Sequence, residues 1–204
     1  MSLAELIGLI NFILLNLCAF LCFFFYILSS MPNTREEKIG EKAWRQSNTL
    51  RLISDILWLV LILNIILWIW FPIPILNWKI LDNYSILLLI SIPIAFFCVF
   101  LIVKAVKDAG TETVKTSKDT EMYQGIYNYI RHPQIFGSVP LFFVLSMIIN
   151  SLFLLIWLIF LMIIIIPIVI HYEEKDLIKR FGDKYLQYKK ETGALIPKFW
   201  KKKN

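Results

Sequence analysis

The sequence predicts an all-α integral membrane protein of five transmembrane helices, the last two a tight antiparallel hairpin, with a cytoplasmic C-terminal helical tail. Three observations carry that reading. Of 204 residues, 58% are hydrophobic and 18% charged, with a mean hydropathy of +0.69, more apolar surface than a soluble fold of this length can hide. The apolar residues stand in long continuous runs, not in the alternation of barrel strands. Lysine and arginine collect in every second connection between the runs.

A helix crossing ~30 Å of hydrocarbon needs about 17–25 residues, and five stretches are read as spans: about 3–28, 52–71, 86–103, 134–149 and 152–170. The first lacks a basic leader and a small-residue cleavage site, so it reads as a span and not as a signal peptide. Pro93, Pro140 and Pro167 fall inside spans, where they read as kinks. Trp68, Trp70 and Trp78 read as an interfacial aromatic belt around the segment 72–85. Asn150–Ser151 leaves only a tight turn between the last two spans, which must then lie antiparallel.

Connections 29–51 and 104–133 hold five basic residues each, the tail after Ile170 holds ten, and 72–85 holds only Lys79. Five alternating spans therefore place 20 basic residues on one side and 1 on the other. The positive-inside rule puts the N-terminus outside and the C-terminus in the cytoplasm. The chain reads as a single membrane domain, 1–204, with 104–133 and 171–204 as the cytoplasmic segments able to build a site.

Composition also excludes function classes. The cysteines, Cys18, Cys22 and Cys98, are odd in number and lie in apolar runs, which gives no disulfide framework. A net charge of +6 suits anionic lipid head groups, and no basic stretch stands apart from a span to bind nucleic acid. The seven glycines form no phosphate-binding loop. Two histidines, His132 and His171, are too few for a histidine-rich di-iron centre, and no charge lies mid-span to support proton-coupled transport. No metal site is expected.

The polar chemistry gathers at one depth. Pro133 opens the fourth span about 18 residues before the turn and Glu173 follows it by about 22, so at ~1.5 Å per residue both reach a similar level. Arg131, His132, Glu173 and Glu174 are thus expected to be neighbours. Pro133 suits the first helical position, His132 falls at the cap, and the next free N–H groups favour an anion. Arg131 can grip a carboxylate, and the glutamates suit an ammonium or sulfonium. Gly125 permits a turn, and Tyr127 and Tyr129 follow it. Leu177, Phe181, Tyr185 and Tyr188 fall at helical spacing, an interfacial stripe interrupted at Gly182.

These residues resemble the isoprenylcysteine carboxyl methyltransferase family and its phospholipid methyltransferase relatives. The shared pattern is Gly125, Tyr127, Arg131-His132-Pro133, Gly137, Glu173-Glu174, Leu177, Phe181-Gly182, Tyr185, Tyr188 and Pro197, across about residues 122–200. Two positions depart from it: Ile135 stands for a tyrosine, and Val169 for an arginine. The resemblance implies a membrane enzyme using S-adenosylmethionine at the cytoplasmic face. It implies Arg131 and Glu173 as catalytic residues and Gly125, Tyr127, His132, Pro133 and Glu174 as cofactor contacts. The acceptor would be a lipid or prenylated molecule entering from the membrane, either a prenylcysteine carboxylate or a phospholipid amine. Two other readings stay open, a sterol-type membrane reductase with a nicotinamide cofactor and a non-catalytic membrane scaffold. The sequence gives no oligomeric state.

Overall fold

The computed structural model describes residues 2–110 and 124–198. Seven α-helices lie among them: α1 Leu3–Ser29, α2 Pro32–Ile39, α3 Lys42–Leu67, α4 Tyr84–Ala109, α5 Pro133–Ile148, α6 Leu152–Phe181 and α7 Asp183–Glu191. No strand occurs among the described residues, only an isolated bridge between Ile130 and Gly193.

Four helices, α1, α3, α4 and α6, are long and apolar enough to cross a membrane. The fourth expected span is present as a shorter apolar helix, α5. At 16 residues, α5 is ~24 Å long by its rise, short of the ~30 Å hydrocarbon core. Its ends are fixed locally. Pro133 starts it, and Asn150, at a positive φ of 58°, turns the chain before the Ser151 hydroxyl caps α6 through Leu154 N–H.

Three helices extend well beyond their expected apolar spans, α4 running on from 103 to Ala109. α3 starts at Lys42 and α6 continues to Phe181, because no proline or glycine stops the polar turn on either side. Gly182, at φ 57°, ends α6. Glu173, Glu174 and Asp176 consequently stand on a rigid helix and not in a loose tail. The Gly182 break also divides the Leu177–Tyr188 stripe between α6 and α7.

α1 packs along α3, and α4 packs along α5. Leu15, Leu61, Ile65, Leu154 and Leu158 form the fully buried centre. Trp68 belongs to it too and not to an interfacial belt, being 2% exposed and stacked on Phe153 at 5.2 Å between ring centroids. Trp70 and Trp78 remain exposed. Gly137 lets α4 and α5 approach closely, since a Cβ there would lie 2.8 Å from Ile102 Cγ1 and 3.1 Å from the Cys98 carbonyl.

The short helix α2 is tied to α6. The Asp176 carboxylate accepts from Asn33 N–H at 3.2 Å and Thr34 N–H at 2.7 Å, satisfying donors that the first turn of α2 leaves open. Lys179 reaches Glu37 at 2.8 Å.

Candidate functional site

The C-terminal ends of α1, α4 and the apolar part of α6 meet the N-terminal ends of α3 and α5 at one end of the bundle. His132 is the N-cap of α5, with Pro133 following it inside the first turn. The segment before it is held from outside by the tail. Arg131 N–H donates to the Gly193 carbonyl at 2.9 Å, and His132 N–H to the Ala194 carbonyl at 3.0 Å. The arginine and histidine therefore enter the site at fixed angles.

Their side chains meet both glutamates. Arg131 Nη2 and Nε lie 2.7 and 2.8 Å from Glu174 Oε1. His132 Nδ1 lies 3.1 Å from Glu173 Oε2, and its Nε2 3.4 Å from Glu174 Oε1. Lys189 on α7 reaches Glu174 Oε2 at 2.5 Å. Arg131 Nη1 also donates to the carbonyls of Lys189 and Thr192. The second oxygen of Glu173 accepts from the Tyr26 hydroxyl at 2.8 Å.

His132 is 7% exposed. Burial works against its charge, but hydrogen bonds and attraction from Glu173 and Glu174 outweigh burial and raise its pKa to about 9. It is an imidazolium at neutral pH.

Tyr127 and Gly125 lie beside the cluster in a turn of 3-10 helix, Gly125–Asn128. Gly125 adopts φ 66°, and a Cβ on it would fall 2.3 Å from the Asp108 carboxylate, which accepts from Ile126 N–H at 2.7 Å. Gly125 thus serves the backbone by letting α4 clamp the turn, and it does not line the cavity. The Tyr127 hydroxyl accepts from Gln134 Nε2 at 3.2 Å, while its carbonyl accepts from the Tyr188 hydroxyl at 2.6 Å.

Two cavities adjoin here. The polar one encloses about 780 Å³ including its open mouth, and its walls include Tyr127, Arg131, His132, Pro133 and Glu173. The apolar one encloses about 970 Å³ among Phe23, Trp58, Phe142, Met162, Ile166 and other side chains of the bundle interior. Tyr26, Gln134 and Ile135 line both. Of the two positions that depart from the family pattern, Ile135 stands at this seam and Val169 in the apolar wall.

Arg131, His132, Glu173 and Glu174 are thus brought together. Glu174 lies behind the polar wall, engaged by three cations, whereas Glu173 faces the cavity. Sequence reasoning missed Lys189, Tyr26 and Arg51. Tyr26 and Arg51 end a span and begin a span on the basic side, which was a usable signal. Lys189 gave none, because the turn at Gly182 decides where it points.

Fold and site together define a multi-pass helical membrane protein with a buried ion cluster and a two-part cavity at one end. Residues 85–184 match the model of the phospholipid methyltransferase family. The match runs from the start of α4 into α7 and takes in Arg131, His132, Glu173 and Glu174. No curated protein and no solved structure matches the chain.

Proposed function

We propose that the protein transfers a methyl group from S-adenosylmethionine to a lipidic acceptor at the cytoplasmic membrane face. The observation that carries this is the meeting of a charged, solvent-open cavity with an apolar cleft inside the bundle. A water-soluble donor and a membrane-held acceptor need such a junction.

The residues fit the donor. Its amino-acid end is zwitterionic, and the polar cavity offers both signs. The backbone N–H groups of Gln134 and Ile135, just past Pro133, find no carbonyl within their own helix and suit a carboxylate. Glu173 opposes them with negative charge suited to an ammonium or a sulfonium. When bound, S-adenosylmethionine supplies a methyl group open to in-line displacement. Glu174 orients Arg131 and His132, Tyr127 flanks the cavity, and the packed ends of α1 and α6 exclude water from the seam. The acceptor's tail occupies the apolar cleft, its head group being a prenylcysteine carboxylate or a phospholipid amine.

Calorimetry of the purified full chain with S-adenosylhomocysteine tests the donor site. The expected result is saturable one-to-one binding that Glu174→Gln removes, since breaking a buried ion pair costs about 3–5 kcal/mol. Binding of a nicotinamide cofactor in its place, or of neither, overturns the reading.

A further inference from the structure

The donor site proposed above has two poles on two different elements. The free N–H groups of Gln134 and Ile135 open α5, and Glu173 stands on α6. Their separation depends on how the start of α5 is held against the end of α6. One tie is direct, through His132 and Glu173 at 3.1 Å and Arg131 and Glu174 at 2.7 Å. A second tie comes from the chain that follows α6.

Residues 188–194, the end of α7 and the turn after it, grip the start of α5 from outside the cavity. The Gly193 and Ala194 carbonyls accept from Arg131 N–H and His132 N–H at 2.9 and 3.0 Å. The Lys189 and Thr192 carbonyls accept from Arg131 Nη1. With Nε and Nη2 on Glu174, four of the five N–H groups of that guanidinium are engaged within the protein. The Tyr188 hydroxyl donates to the Tyr127 carbonyl at 2.6 Å. On the α6 side, the Lys189 ammonium lies 2.5 Å from Glu174 Oε2. Lys198 closes the end of α7 through the carbonyls of Lys189 and Lys190. No residue beyond Arg180 lines either cavity, so these contacts reach a ligand only through Arg131, His132 and Glu174. The segment also lies beyond the stretch that matches the family model.

We propose that residues 188–194 are a latch whose docking sets the donor site, with Lys189 as a positioning residue that acts through Glu174. The proposal rests on the donor reading above. Docked, the latch fixes the start of α5 and so the span between its N–H groups and Glu173. Released, Arg131 loses two carbonyls and Glu174 loses one of its three cations, and only the direct ties remain. Coupling between binding sites is reciprocal: if docking favours the donor, the donor favours docking by the same factor. A ligand in the cavity then protects a segment that it does not touch.

Backbone hydrogen exchange of the full chain in detergent micelles, read by mass spectrometry with and without S-adenosylhomocysteine, tests this. The ligand is expected to slow exchange across 186–194 about tenfold, within the usual range of such coupling. Lys189→Gln should speed exchange in that segment and lower S-adenosylhomocysteine affinity about tenfold. Lys189→Arg, which still donates to a carboxylate, should keep both near the wild type. Gly193→Ala acts on the backbone, because a Cβ there collides with the Ile196 carbonyl. It should open the Arg131 and His132 amides to exchange and lower the affinity as well. Exchange in α1 and α3 should stay at the wild-type rate in every variant, which separates mispositioning from a general loss of structure. Ligand binding that leaves 186–194 unprotected, or full affinity in both Lys189→Gln and Gly193→Ala, overturns the latch and leaves the donor site standing. Failure of the wild type to bind overturns the donor reading, and the coupling with it.

Discussion

His132 turns the geometry of the cluster into a pH dependence. Its pKa rises to about 9 in the folded protein from about 6.5 in an unfolded chain, so the native state binds the proton more tightly. The stabilisation is complete below about pH 6.5 and is lost as pH rises through about 9, worth on the order of 3 kcal/mol in full. Thermal unfolding in detergent should show the wild type losing stability across that window, and His132→Gln should flatten the loss. A wild type whose midpoint stays level from pH 6.5 to 9 contradicts the ion pairing. At this scale the sequence was informative where topology forces contact. Arg131, His132, Glu173 and Glu174 border two apolar runs joined by a tight turn, so counting residues brings them together. Tyr26, Arg51 and Lys189 depend on how α1, α3 and α7 pack around that pair, and no spacing states this.

Gly137 sets the separation of α4 and α5, and through it the position of the seam. A side chain there meets Ile102 Cγ1 at 2.8 Å and the Cys98 carbonyl at 3.1 Å. Ile102 can turn aside, whereas a backbone carbonyl cannot. Gly137→Val should therefore push the helices apart at a cost of about 1–3 kcal/mol, read as a lower unfolding midpoint. An unchanged midpoint and unchanged ligand affinity would show that the close approach is unimportant. Helix ends were legible wherever a residue enforces them, as Pro133, Asn150 and Gly182 do. Hydropathy missed the polar first turns of α3 and the last turns of α6, because a helix continues past the apolar boundary until something stops it. It placed α5 at 134–149, within one residue of Pro133–Ile148, because apolar character and Pro133 mark the helix well. Trp68 was misplaced: an aromatic residue near a span's end faces the headgroups or a neighbouring helix, and Phe153 settles which.

At the scale of the whole molecule, one end of the bundle gathers the polar cavity, the ion cluster and most of the charge. The 20-to-1 division of lysine and arginine between alternating connections predicts that this end faces the cytoplasm. A reporter fused after Asn204 should be active only in its cytoplasmic form, and activity outside would reverse the orientation. The matched family covers α4 to the start of α7, while Tyr26 and Arg51 come from the preceding helices. On the proposed reading the donor side comes from the matched region, whereas Tyr26 and Arg51 reach the cavity from helices outside it. The most direct measurement supplies the purified protein in liposomes with methyl-labelled S-adenosylmethionine and follows the label into the extracted lipid. The account predicts labelled lipid with the wild type and a loss of labelling on Glu173→Gln or Arg131→Gln in protein that remains folded. Labelling that survives both substitutions, or a donor that binds while no lipid fraction of any composition becomes labelled, contradicts it.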